Sequence, residues 1–215
     1  MKQEISDLIV HQHAAVERYY RWHAQIYDLT RWSFLFGRRE LLHLVTRHRV
    51  APLRILEVGC GTGHNLRQLG LLFPAAEITG LDLSPAMLRI ARQKLALFTG
   101  QVQLYQRTYA QPLPTRHTFD VILFSYALSM MHADWPATLH RAYTDLAEGG
   151  IIAVVDFHDS PVGWWTTWMR RNHVCMDGQL LPSLTARFHP RVTQVHRAYG
   201  GLWRYFLFLG EKLLP

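Results

Sequence analysis

Five short apolar runs, separated by stretches with helical spacing, leave this chain few architectures to choose from. They are LRILEV at residues 53–58, AEITGL at 76–81, VQLY at 102–105, FDVILF at 119–124 and GIIAVVDF at 150–157. Runs this short and this rich in Val, Ile and Leu read as strands buried on both faces, and the intervening helices act as crossovers between parallel neighbours. RVTQVHRAY and LWRYFLFLG flank Gly200 and Gly201, a pair suited to the positive φ angles of a tight turn, and predict a C-terminal antiparallel hairpin. Before Pro52, Ile5, Leu8, Ile9, Val16, Tyr19, Tyr20, Ile26 and Tyr27 recur at three-and-four spacing and predict a helical cap. The expectation is one α/β domain over 1–215, with the cap at 1–50, a mostly parallel sheet at 51–159, and an amphipathic helix plus the hairpin at 160–215.

Composition narrows the function. With 215 residues, 49% apolar and 18% charged, the chain fills one core and carries too little charge for disorder. Two cysteines, Cys60 and Cys175, lack the spacing of a disulfide framework or a thiolate zinc site, which fits a reducing compartment. His11, His13, His43 and His48 have no carboxylate or cysteine at ligand spacing, so no metal is expected. The opening MKQEISDLIV mixes charges into its apolar residues, unlike a secretory signal. The uncharged run 121–131 falls far short of the roughly 20 residues that cross hydrocarbon. The expected location is cytoplasmic, including the cytoplasmic face of the membrane. A net charge of +7 and a pI near 9.7 draw such a surface to anionic lipid or to nucleic acid.

The chemistry points to LEVGCGTGHNL, where the first strand runs into Gly59, Gly61 and Gly63 and then into a helix near His64. Glycines there allow a sharp bend and close approach of a ligand. A dinucleotide fingerprint needs its third glycine at position 64, which is His64, and no Gly-Lys-Ser or Gly-Lys-Thr follows. Asp82 closes the second strand in GLDLSPAML, where a carboxylate accepts the hydroxyls of an adenosine ribose. A glycine bend with an acidic strand end reads as a nucleoside site; the plainer alternative is a turn and an Asp capping the helix at Pro85.

These residues resemble the class I S-adenosylmethionine-dependent methyltransferases, whose first motif looks like LEVGCGTG and whose second strand ends in an acid. The likeness covers roughly 51–159 and implies a Rossmann-like sheet that binds S-adenosylmethionine and releases S-adenosylhomocysteine. It implies that Glu57, Gly59, Cys60, Gly61 and Gly63 line the methionine side, that Asp82 holds the ribose, and that Leu83 and Met87 flank the adenine, with Tyr109, Ala110 and Ser125 completing the site. One slot departs: Thr108-Tyr109-Ala110 stands where such enzymes often carry Gly-Asp-Ala. A narrower likeness lies in HAQIYDLTRWSFLFGR (23–38), FSYALSMMHADW (124–135) and AYGGLWRYFLFLG, which are similar to segments of the N-methyltransferases that complete betaine lipids by methylating diacylglyceryl-homoserine. It implies an amine headgroup as acceptor and peripheral contact with an anionic membrane.

Ligands of such sheets lie beyond the carboxyl ends of the strands, which nominates Tyr27, Tyr126, His132 and His158 as catalytic candidates, and Arg31 and Asp156 as acceptor contacts. Thirteen histidines are scattered through the chain, so an ordinary hydrogen-bonded histidine is the competing reading for each. In SPVGWWTTWMRR, helical spacing gathers Trp164, Trp165, Trp168 and Met169 on one arc of roughly 140°, a face fit either for the headgroup boundary or for the core. A soluble small-molecule acceptor, and a module that binds the cofactor without transferring from it, remain alternatives. Nucleic-acid methylation ranks below them: the stretch after the fourth strand reads Ser125-Tyr126-Ala127-Leu128, without the Pro-Pro-Tyr that shapes an adenine pocket.

Overall fold

The structure, a computed structural model, describes residues 34–49, 51–110 and 118–213. Seven strands form one sheet in the order β3-β2-β1-β4-β5-β7-β6. β1 (Arg54–Val58), β2 (Glu77–Asp82), β3 (Val102–Gln106), β4 (Phe119–Ser125) and β5 (Leu146–Phe157) are parallel, whereas β7 (Trp203–Glu211) runs antiparallel to both β5 and the edge strand β6 (His189–Ala198). The five parallel runs and the hairpin match the expected architecture. Gly200 and Gly201 turn at φ 67° and 102°, as the hairpin requires.

Helices cover both faces. On one, α1 (Arg38–His48), α2 (His64–Leu72), α3 (Pro85–Lys94) and α5 (Gly163–Arg171) share a core with Ile55, Leu123 and Val155; on the other, α4 (Trp135–Asp145) and α6 (Leu180–Arg187) pack on Leu56, Ile122 and Phe206. α1 buries Leu41, Leu42 and Val45, one side of a helix, and lies over β5 and β7. Its entry requires Gly37 at φ 75°, where a Cβ would come within 2.9 Å of the Tyr205 ring.

Two boundaries differ from the sequence reading. β5 begins at Leu146, four residues before the expected run, because Leu146 pairs with Phe119 across an irregularity and regular pairing resumes from Ile151. Helix α6, between the amphipathic helix and the hairpin, was not among the expected elements; Pro182 falls in its first turn, where its missing amide leaves no helical bond unmade. Of the cap at 1–50, α1 lies within the described residues; Tyr27 and Arg31 lie outside them. Among the described residues no helix is long and apolar enough to cross a membrane.

Candidate functional site

The crossover from β1 to α2 is a backbone loop pinned against the end of β2. The amides of Gly59 and Cys60 both donate to the Leu81 carbonyl, at 2.8 and 2.9 Å, and Gly63 N–H donates to Cys60 O at 3.0 Å. Gly59 adopts φ 74°, and a Cβ there would meet the Ala127 Cβ at 2.8 Å, so the loop closes against the segment after β4. Gly61 adopts φ 54°, and a Cβ there would meet nothing within 4 Å, because it faces open space. Gly63 stands immediately before α2.

That space is a cavity of about 540 Å³ lined by the loop, by Glu57, Asn65 and Ser125, and by Arg38 and Arg39 of α1. Asp82 reaches back from the end of β2. Its Oδ2 accepts from Gly61 N–H and its Oδ1 from Ser84 N–H, both at 2.8 Å. A carboxylate oxygen can accept more than one hydrogen bond, so pinning the loop does not by itself bar a diol. The cap of α3 is Ser84, whose hydroxyl accepts from Met87 N–H at 3.3 Å, so Asp82 is not spent on that helix.

Glu57, buried in the strand, is a strongly perturbed group on the cavity wall. Asn65 donates to its Oε1 at 2.7 Å, and Arg38 donates to Asn65 Oδ1 at 3.3 Å, whereas Oε2 is buried with no hydrogen-bond partner. Burial drives its pKa up to about 8, against the opposing pull of Asn65 and Arg38, so at neutral pH it is mostly protonated. Ser125 Oγ is likewise buried without a partner. An orphaned carboxyl oxygen and an orphaned hydroxyl on a cavity wall fit a ligand with polar hydrogens, and a cationic amine would satisfy Glu57 best. Arg38 and Asn65 were not singled out in the sequence as site residues; their contact spans 27 positions, and only the fold brings α1 to the loop.

The other candidates fall around this centre in different ways. The Cys60 side chain turns into the core, and burial pushes its thiol well up, so it contributes backbone to the loop. Leu83 is exposed and Met87 is buried. Ala110 is exposed, while Tyr109 packs edge-on against Phe124 with its hydroxyl on Asp145 Oδ2 at 3.0 Å; its ionisation is pushed up by burial and by Asp145.

Tyr126 and His132 follow the carboxyl end of β4, Asp156 is the penultimate residue of β5 and His158 follows that strand; none of them lines the cavity. Tyr126, at φ 56°, donates its hydroxyl to the Phe36 carbonyl at 2.9 Å, and burial pushes its ionisation well up. Asp156 accepts from the amides of Ser129, at 3.2 Å, and Phe157, at 2.8 Å; burial raises its pKa to about 6 against those bonds. His132, at φ 44°, meets the His173 ring edge-to-face at 6.1 Å, and burial together with His173 lowers its pKa. His158 Nε2 stands 4.0 Å from Asp159, with Nδ1 buried and unpartnered. No group of three or more His, Cys, Asp or Glu side chains at metal-binding distance occurs among the described residues.

The sheet order, with β7 antiparallel between β5 and β6, and the glycine loop pinned to the acid closing β2 make a Rossmann-like fold. Residues 56–152 match a family described as "Methyltransferase domain". The demethylmenaquinone methyltransferase of Thermus thermophilus is 33% identical over 143 residues, 64% of this chain and 63% of that protein. The chain thus spans less than two thirds of that relative's length. Two solved structures share the fold. The 1,6-didemethyltoxoflavin-N1-methyltransferase of Burkholderia thailandensis, with S-adenosylhomocysteine bound, superposes with a TM-score of 0.70 at 18% identity, covering 95% of this chain and 90% of that one. The N-methyltransferase NodS of Bradyrhizobium japonicum WM9, also with S-adenosylhomocysteine, gives 0.68 at 19%, covering 81% and 84%.

Proposed function

We propose that this protein is an S-adenosylmethionine-dependent N-methyltransferase acting on an amine headgroup, that of a betaine lipid or a related aminolipid at the membrane surface. The observation that carries the transferase reading is the buried, unpartnered Oε2 of Glu57 on the wall of the cavity lined by Gly61, whose amide Asp82 holds from outside that lining. Glu57 suits the cofactor's ammonium, Asp82 its ribose diol, and the bare Cα of Gly61 lets the methionine arm approach. The amine acceptor is supported by the likeness of segments 23–38 and 124–135 to betaine-lipid N-methyltransferases, and by the nitrogen acceptors named for both structural neighbours.

When bound, S-adenosylmethionine supplies a methyl group on a sulfonium. The chain must then align the acceptor lone pair with that carbon, exclude water, and let the ammonium lose its proton. An amine of pKa ~10 costs about 4 kcal/mol to neutralise at pH 7, at ~1.4 kcal/mol per pH unit. Among the candidates, Tyr126 has given its hydroxyl to Phe36, and Asp156 is occupied by two amides. We assign that proton to His132, which follows β4 beside His173 outside the cavity lining; burial and His173 lower its pKa, which makes it a weaker base.

A soluble acceptor is the second reading, favoured by the small molecule named for the Burkholderia neighbour. Incubation with methyl-labelled cofactor and a lipid extract separates the two. Label in the lipid fraction, with mass shifts of one, two or three methyl groups, supports the lipid acceptor. Label confined to the water-soluble fraction selects the alternative. Cofactor binding with no label in any fraction would leave a binding module.

A further inference from the structure

Helix α5 does not present one aromatic face, as its sequence implies, but two. Trp165 and Met169 are buried: Trp165 stacks on Trp203 at 5.0 Å and 10°, and Phe34 stacks on both rings. Trp164 and Trp168 leave that arc and are 67% and 46% exposed. At about 100° per residue, Trp164, Thr167, Trp168 and Arg171 share an outward arc of about 100°.

The exposed rings rest on buried ones. Trp164 meets Trp165 edge-on at 5.7 Å, Trp168 lies 4.9 Å from Trp165, and Tyr199, 56% exposed, lies 4.9 Å from Trp203. A continuous aromatic cluster thus has a packed centre and three solvent-facing ends. Rings held this way lose little side-chain freedom when they are covered, which favours use as a contact surface over incidental exposure.

Its charge selects the occupant. Arg170 and Arg171, both exposed, end the helix, and α5 has no carboxylate. The acids before and after it are engaged: Asp159 with Arg204, and Asp177 with the Gln179 amide and the Cys175 thiol. Tryptophan and tyrosine beside arginines that make no ion pair among the described residues, on a chain of net charge +7, match the headgroup layer of an anionic bilayer, where rings sink partway and guanidinium groups meet phosphate. The placement agrees. α5 follows the carboxyl end of β5, and Tyr199 stands in the β6–β7 turn, at the end of the sheet where the glycine loop and the cavity lie.

We infer that Trp164, Trp168, Tyr199, Arg170 and Arg171 form a docking surface that seats the protein on an anionic membrane with its cavity end toward the lipid. This deepens the membrane-surface reading proposed above and rests on it for its purpose; the docking itself is measured without any transfer.

The test is co-sedimentation with phosphatidylcholine vesicles, with and without phosphatidylglycerol, on wild type, W164S/W168S and R170E/R171E. The wild type should bind the phosphatidylglycerol vesicles at low salt, and each double variant should lose about 10-fold or more in affinity while keeping its circular dichroism spectrum and its affinity for S-adenosylhomocysteine. Wild type that fails to sediment, or W164S/W168S that sediments equally well, overturns the inference. So does a wild-type dimer in size-exclusion chromatography that W164S/W168S dissolves, since a second copy would then own the surface. Transfer to a detergent-dispersed lipid acceptor reads the transferase proposal independently of docking.

Discussion

Asp82 Oδ2 accepts the Gly61 amide at 2.8 Å, so the acid that closes β2 holds open the loop that leaves β1. Two neighbouring parallel strands are thereby locked at the point where the proposed nucleoside would bridge them. A second amide, from Ser84, fixes the other oxygen and leaves the carboxylate little freedom to lose when a diol arrives.

The loop glycines should separate fold from function. Gly59→Ala places a methyl 2.8 Å from the Ala127 Cβ at φ 74°, and should destabilise by about 2 kcal/mol or more. Gly61→Ala points into the cavity at φ 54° with nothing within 4 Å, so it should cost about 1 kcal/mol in stability yet weaken S-adenosylhomocysteine binding by more than about 10-fold. Thermal denaturation and isothermal titration calorimetry on both variants check this.

Glu57 should couple cofactor binding to pH. Its pKa stands near 8 in the fold, raised by burial from 4.5, so the unfolded chain releases the proton first and stability falls as pH rises from about 4.5 to about 8. A ligand ammonium requires the carboxylate form, so binding expels a proton and the affinity for S-adenosylhomocysteine should rise by up to about 10-fold per unit between about pH 6 and 7.5. Glu57→Gln should flatten that slope. Calorimetry in buffers of different ionisation enthalpy counts the proton directly.

Loss of His132 should appear in kcat. If it takes the acceptor's proton, His132→Gln should lower kcat by about 100-fold and remove the acidic limb of the pH–rate profile, which lies below the usual histidine range because burial and His173 lower that pKa. Cofactor affinity should not change. An unaltered profile would return His132 to a structural role.

Tyr126→Phe should act on stability. The hydroxyl bridges to the Phe36 carbonyl, which its removal leaves unpaired, so the variant should lose about 1 to 2 kcal/mol in chemical denaturation while kcat changes less than about 3-fold.

The parallel core was legible because each strand is a short apolar run and each crossover has its own periodicity; LRILEV and FDVILF lie side by side as their patterns require. The glycine bend and Asp82 were legible for the same reason, since strand ends fix where they meet. What lay hidden depended on contacts between distant residues. Asn65 acquires its meaning from Glu57 on one side and Arg38 on the other, and Trp164 and Trp165 are adjacent in sequence yet face solvent and core. A nine-residue helix places both within its apolar arc, and Trp203 decides which ring is buried.

The most direct measurement is equilibrium binding of S-adenosylhomocysteine to the wild type and to Asp82→Ala. We expect saturable one-to-one binding by the wild type and a loss of about 100-fold or more in the variant, from two hydrogen bonds to a charged acceptor and the unpinned loop. No binding by the folded wild type, or equal binding by both proteins, would contradict the assignment of this cavity.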